Sequence, residues 1–169
     1  MIRGSQTLLA LCVVALMAGC APQESAPPPP AHQYVTTDLL EPDKLASLWL
    51  IKRFVDPEAQ FLFLTNEVAV LPGTPVDMPQ GEYRRYASMS CYESVLQRHP
   101  VADPALARIG RIIRELELNF WGDRRVAGAA DLEREIRQIL QAHPNDPAAC
   151  LPPAFELFDQ LHRSLGSQP

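Results

Sequence analysis

The sequence predicts a mainly helical α+β domain of about five helices with a small two-stranded element. Three observations carry this prediction. Apolar residues recur at helical spacing through most of the second half of the chain. Asp-Pro and His-Pro pairs separate these stretches, and such pairs are typical of helix boundaries. A short apolar run with two phenylalanines, at 61–64, is typical of a strand.

Residues 1–19 predict a signal peptide. Arg3 precedes an apolar run at 8–17, which is too short to span a bilayer as a mature helix. The residues before Cys20, Leu-Met-Ala-Gly, resemble the processing site of bacterial lipoproteins. This resemblance implies that the peptide is cut before Cys20 and that this cysteine carries the lipid. A plain secretory signal with a chance cysteine is the alternative interpretation.

Residues 20–37 are predicted to be a lipidated, proline-rich tether, and the folded domain to occupy 38–169. Proline fills positions 27–30, which favours an extended chain that packs no core. The lipid would hold the domain on a bacterial membrane, facing the periplasm. Position 21 is Ala and not Asp, which by resemblance to the enterobacterial sorting rule favours the outer membrane over the inner one.

The charge balance argues against a nucleic-acid partner. The chain carries 15 basic and 20 acidic side chains, a formal net charge of −5. Nucleic acids bind basic surfaces, and an exported, lipid-anchored protein does not meet the chromosome.

The first predicted helix covers 42–55 and is apolar on most sides, so we expect it to be buried. An Asp-Pro pair at 56–57 ends it, because the residue before a proline is disfavoured in a helix. After the strand at 61–64, residues 68–71 are expected to form a second strand or one helical turn. Prolines then predict an irregular connection over 72–81.

Four further helices are predicted in the second half of the chain. The second of them begins after an Asp-Pro pair that supplies an N-cap and a first-turn proline. Its apolar face repeats every three to four residues, with arginines on the opposite face. The four helices are expected at 92–98, from 104 through Leu116, at 131–142 and at 153–165.

The run at 43–59, followed by Phe61 and Phe63, resembles the start of the C-terminal domain of the chromate resistance protein ChrB. Further similar pieces follow in the same order: Val76-Asp77, Glu82-Tyr83, Cys91-Tyr92-Glu93 and the segment from Asp103 to Leu106. The resemblance implies a mostly helical domain linked to chromate resistance. In the full-length family member this domain is part of a chromate-responsive regulator. That regulatory role is not carried over, because a lipoprotein signal stands where the regulator has its N-terminal half.

Lys52 and Arg53 lie inside the apolar first helix, where a cation needs an anion or a route to water. One interpretation is an internal ion pair, and the other is a pocket for a tetrahedral oxyanion such as chromate or sulfate. Arg84 and Arg85 would complete that pocket, since the planar guanidinium fork suits such oxygens. The carboxylates considered for the internal pairs are those of Asp43, Asp56, Glu58 and Asp77.

Cys91 has three candidate roles. An exported protein tolerates disulfides, so a Cys91–Cys150 bridge is one candidate. A thiolate beside Arg84 and Arg85, with a lowered pKa, would instead react with oxidants. Ligand binding together with Glu93, or a metal site that adds Glu82, is the third.

The sequence names no reaction. It shows no Ser-His-Asp set, no phosphate-binding glycine loop and no zinc-protease helix. We therefore expect a non-enzymatic domain without a cofactor, which binds or senses an oxyanion. A module that docks an envelope protein and a thiol- or metal-dependent enzyme are the alternatives. The expected partners are the membrane, through the lipid on Cys20, and a small oxyanion or an envelope protein.

Overall fold

The computed structural model describes residues 30–65, 70–119 and 123–167. Within these ranges the chain forms five α-helices and three short strands, so the predicted mainly helical α+β class is confirmed. The predicted signal peptide and Cys20 lie outside the described residues. The elements in chain order are β1 (Gln33–Thr37), α1 (Pro42–Leu50) with a π-helical continuation (Ile51–Val55), β2 (Gln60–Leu64), β3 (Thr74–Pro75), α2 (Cys91–Arg98), α3 (Pro104–Leu118), α4 (Ala129–Ala142) and α5 (Pro147–Gly166).

The sheet has three parallel strands in the order β2-β1-β3, with Val35 opposite both Leu62 and Pro75. The central strand β1 consists of residues 33–37, which the sequence analysis placed in the tether, so that boundary is wrong. The sequence also predicted two strands, whereas the sheet has three. A five-residue strand directly after a proline run has little pattern of its own, and only its pairing across α1 reveals it.

Helix α1 is the centre of the core, as its apolar sequence predicted. Leu45, Leu48 and Trp49 are fully buried, and the helix packs against α2, α3 and α5. Its π-helical continuation ends at Asp56, where the backbone becomes extended with φ −143°. The predicted end of the first helix is therefore confirmed.

Helix α5 begins at Pro147, well before the predicted start at 153. The Asp146 carboxylate accepts the N–H of Ala149 at 3.0 Å and caps the helix. Pro152 and Pro153 lie inside the second turn, so Pro153 is not the start of the helix that the sequence predicts. Farther along, Phe158 stacks on Trp49 with 5.6 Å between ring centroids, and this core contact holds α5 in place.

The remaining predicted helices are confirmed with shifted ends, and α3 begins where the Asp-Pro pair indicated. Asp103 accepts the N–H of Ala105 at 2.8 Å at that start. Half of the segment 68–71 lies outside the described residues, and the described positions 70 and 71 belong to no helix or strand. No helix in the described part of the chain is long and apolar enough to cross a membrane.

Candidate functional site

The first turn of α1 carries a carboxylate that has no contact with solvent. Asp43 is 0% exposed, although it lies at the beginning of a helix. Its two oxygens accept the N–H groups of Cys91 and Tyr92 at 2.7 and 2.8 Å. These are unpaired donors of the first turn of α2, and Ser90 and Glu93 complete the cap with a reciprocal capping box. Asp43 therefore joins α1 to α2 from inside the core.

Arg85 gathers carboxylates from two other segments around Asp43. Its Nη2 donates to Glu41 Oε2 at 2.9 Å and forms an ion pair with Glu117 Oε2 at 2.7 Å. Its Nε lies 3.7 Å from Asp43 Oδ2 and is buried without a hydrogen-bond partner among the described residues. Glu117, on the last turn of α3, also accepts the N–H of Asp43 at 3.3 Å. We call Glu41, Asp43, Arg85 and Glu117 the buried charge network after its two buried acids, Asp43 and Glu117, whereas Glu41 and Arg85 are partly exposed.

Lys44 follows Asp43 on α1 and is only 3% exposed. Its Nζ donates to the backbone oxygens of Thr37 and Leu39 at 3.3 and 2.6 Å, and also to the Thr37 hydroxyl. The carboxylate of Asp77 lies 3.9 Å away. Lys44 thus ties the end of β1 to α1 and brings a positive charge to the same region as Arg85.

An open pocket of about 510 Å³ lies beside the buried charge network. The charged groups in its wall are Lys44, Arg84, Arg85, Glu41 and Asp77, which sum to one net positive charge when all are ionised. Arg84 is the one cation of this wall for which the described residues provide no carboxylate partner. It donates to the Pro79 oxygen at 2.6 Å and lies over the Tyr86 ring, 4.9 Å from its centroid.

Burial changes the protonation of the acids in this region. Desolvation raises the pKa of Asp43 to about 6, against the two helix N–H groups and Arg85, which favour the carboxylate. Desolvation likewise raises the pKa of Glu117 to about 7, although Arg85 acts in the opposite direction. The pKa of Asp77 is raised and that of Lys44 lowered, both mainly by burial. The region therefore changes charge close to neutral pH.

Comparison with known proteins identifies the family. The family described as ChrB, C-terminal domain, matches residues 34–165 of the chain. The chain belongs to this family. Protein ChrB of Cupriavidus metallidurans is 30% identical over 135 residues, which is 78% of this chain and 40% of that protein. The chain thus spans about 40% of the length of the curated relative it matches. No solved structure matches it.

The ChrB-family domain does not bring Lys52 and Arg53 to the pocket, so that part of the predicted site is wrong. Lys52 donates to the Ala59 oxygen at 2.9 Å. Arg53 donates to both oxygens of Asp159 on α5, at 3.1 and 2.8 Å, and its guanidinium lies 5.8 Å from the centre of the Phe155 ring. The internal pairing is real for Arg53, but Asp159 was not among the carboxylates considered. Arg84 and Arg85, the other half of the predicted set, do line the pocket together.

The structure favours neither the disulfide nor the reactive thiolate considered for Cys91. Cys91 and Cys150 are both free and buried, so they do not form the candidate disulfide. Burial raises the pKa of the Cys91 thiol, and the carboxylates of Asp43 and Asp77 raise it further. Hydrogen bonds from Ser47 and from the Asp77 backbone lower this pKa but are outweighed, and Arg84 and Arg85 are not among the groups that act on it. Burial also raises the pKa of Cys150, whose thiol faces the His143 oxygen at 3.8 Å.

Glu93 and Glu82 have structural roles that separate them. Glu93 belongs to the capping box of α2 and forms an ion pair with Arg114 at 2.7 Å. Glu82 pairs with Arg98 at 3.1 Å. Within the described ranges no group of three His, Cys, Asp or Glu side chains could hold a metal ion. The candidate metal site at Cys91 therefore finds no support in the geometry.

Sequence reasoning missed Glu41 and Glu117, which pair with Arg85, and the buried Lys44. Glu117 carried a usable signal, because it follows Ile113 by four residues and so lies on the apolar face of α3. Lys44 carried a similar signal, since it lies in a helix expected to be buried. Glu41 precedes α1 and has no such pattern. A charged residue on an apolar helix face was thus the signal in the sequence that indicated a buried charge at this site.

Proposed function

We propose that this domain is a non-enzymatic binder of a small tetrahedral oxyanion, held in the pocket beside the buried charge network. The observation that carries the proposal is the meeting of Lys44, Arg84 and Arg85 in one open pocket wall. Membership in the ChrB family favours chromate, or an anion of the same shape, as the physiological ligand.

The roles proposed for the three cations differ. Arg84 has no carboxylate partner among the described residues, so its guanidinium is available to bind the anion directly. Arg85 contributes positive charge at the pocket wall, since its Nη2 is held by Glu41 and Glu117 and its Nε lies buried beside Asp43. Lys44 contributes charge rather than a hydrogen bond, because its ammonium already donates to Thr37 and Leu39. Asp77 and Glu41 disfavour highly charged anions and so tune which ligand binds.

The test is thermal unfolding and calorimetric titration of the full chain with chromate, sulfate, molybdate and phosphate. A ligand at a hundred times its dissociation constant stabilises the folded state by about 2.7 kcal/mol. Arg84→Gln should weaken binding about tenfold or more, because it removes a charge-assisted hydrogen bond. The matched control is Arg53→Gln, which changes an arginine outside the pocket and should bind normally. If no anion shifts unfolding, docking of an envelope protein becomes the leading alternative.

We further propose that the domain is attached to a bacterial membrane through a lipid on Cys20. The support is the sequence pattern at 16–20 and the proline-rich segment that follows it. Metabolic labelling with a fatty acid should mark the wild-type chain and place it in the membrane fraction. Cys20→Ala should abolish both, whereas Cys12→Ala, within the apolar run, should change neither. An unlabelled wild-type chain in the soluble periplasm would indicate a plain secretory signal.

A further inference from the structure

The arrangement around Arg85 links the pocket to an acid that lies behind it. One nitrogen, Nη2, contacts both Glu41 Oε2 and Glu117 Oε2, at 2.9 and 2.7 Å. Arg85 is therefore the one charge in contact with the pocket on one side and with Glu117 on the other. An anion that draws the guanidinium toward the pocket must loosen its contact with Glu117.

Glu117 has few other means of keeping its charge. It is 5% exposed, and the Asp43 N–H is the one hydrogen bond besides Arg85 that reaches its carboxylate from the described residues. Two of its charged neighbours are acids from the start of α1, which disfavour another negative charge. The charged groups that face it from the surrounding segments are Arg85 from the pocket wall, Glu41 and Asp43 from the start of α1, and Arg124 from the loop before α4.

We propose that anion binding in the pocket is coupled to the uptake of one proton by Glu117, with Arg85 as the link between the two. This inference rests on the proposed oxyanion function and adds a regulation to the same site. When the anion takes the guanidinium, a buried carboxylate without its cation is costly. A proton from solvent neutralises Glu117 and removes that cost, so the anion binds best to the protonated form.

The environment of Glu117 makes this proton available in the physiological range. Burial raises the pKa of Glu117 to about 7 even with Arg85 in place. Asp43, whose pKa burial raises to about 6, adds an effect of the same sign at lower pH. Because Glu117 lies on the last turn of α3, its protonation changes the charge at the end of that helix. A change of charge there would report the occupied state of the pocket to the following loop.

The experiment is a calorimetric titration of the full chain with sulfate across the pKa of Glu117. Sulfate is the probe because it does not titrate in this range, whereas chromate does. Above about pH 7, the affinity for sulfate should fall by up to about tenfold per pH unit, as one linked proton requires. Titrations in buffers of different ionisation enthalpy should show close to one proton taken up per anion above that pH.

Glu117→Gln provides the specific test. It keeps a hydrogen-bonding side chain of the same length and mimics the protonated acid, so sulfate should bind it with a nearly flat pH profile. Glu156→Gln, at an exposed ion pair with Arg163, is the matched control and should keep the wild-type slope. The wild-type proton count does not depend on whether a variant folds.

The outcomes separate the two proposals. Sulfate binding that is independent of pH in the wild type, without proton uptake, would overturn the coupling and leave the oxyanion site standing. An unchanged slope in a folded Glu117→Gln protein would assign the proton elsewhere and also overturn it. If sulfate binds at no pH and the other oxyanions fail as well, the proposed function falls and the coupling falls with it.

Discussion

Arg53 and Arg85 both pair with carboxylates, but they do so in different surroundings. Arg53 is 42% exposed and meets Asp159 on α5, which is 21% exposed. Arg85 reaches inward to Asp43 and Glu117, which are 0% and 5% exposed. The same side chain is therefore a surface contact in one place and the counter-charge of a buried network in the other. The burial of the partner, and not the arginine, decides what each pair contributes.

This difference sets the expected energies. An exposed pair contributes between about 0 and 1 kcal/mol, because water screens it and two long side chains lose freedom. Breaking a buried pair costs about 3 to 5 kcal/mol, because it leaves a charge without solvent or partner. Unfolding of matched variants therefore distinguishes the two regions.

The largest effect is expected for Asp43→Ala. This change removes the acceptor of two N–H groups at the start of α2 and leaves them buried and unpaired. We expect the free energy of unfolding in urea to fall by about 3 kcal/mol. Asp146→Ala removes the exposed cap of α5 and should cost only about 1 kcal/mol. Equal losses for the two variants would contradict the role assigned to burial.

Arg85→Met and Arg53→Met compare the two arginines directly. Above about pH 7 the loss of Arg85 leaves the ionised Glu117 without its cation, so we expect a cost of about 2 kcal/mol. The Arg53 variant should lose less than about 1 kcal/mol, since Asp159 keeps its contact with water and with Trp49. Denaturant unfolding measures both. The difference between the two losses of unfolding free energy should shrink at lower pH as Glu117 becomes protonated. A difference that widens there would be evidence against the network.

The pH dependence of stability gives the third measurement. Glu117 has a higher pKa in the folded chain, about 7, than its ordinary value of 4.5, so the folded state holds more protons in that window. Its contribution to stability is therefore full below the ordinary value and is lost as the pH rises toward about 7. Unfolding of wild type and Glu117→Gln across this window should show a difference that changes in that direction. A constant difference would show that Glu117 titrates normally.

The smallest effect is expected for the Arg53–Asp159 pair. A double-mutant cycle with Arg53→Ala and Asp159→Asn should give a coupling below about 1 kcal/mol, because Arg53 is well exposed. Asparagine keeps an oxygen for the Trp49 Nε1–H, which donates to Asp159 at 2.8 Å. A coupling as large as the loss for Asp43→Ala would remove the distinction between the two regions.

Much of the fold was predictable because its signals are local. The apolar face of α3, the Asp-Pro pair before it and the buried character of α1 each depend on residues within a few turns of one another. The ChrB resemblance, confirmed by the family match, came from such local runs. Of the elements that were missed, strand β1 had no local signal, whereas the start of α5 had one in the Asp-Pro pair at 146–147. Strand β1 is defined by its pairing with β2 and β3, and the prolines near the start of α5 hid the true start of the helix.

The residues of the site likewise differ in whether the sequence indicated them. The sequence shows cations inside an apolar stretch, and it indicates Arg84 and Arg85 as one group. Only the tertiary structure decided which acids meet Arg85, because Asp43 and Glu117 come together through the packing of α1 against α3, although 74 positions separate them in the chain. It likewise placed Asp159, 106 positions away, against Arg53. Ion pairs over such separations follow from how helices pack, and a charge pattern along the chain does not contain that information.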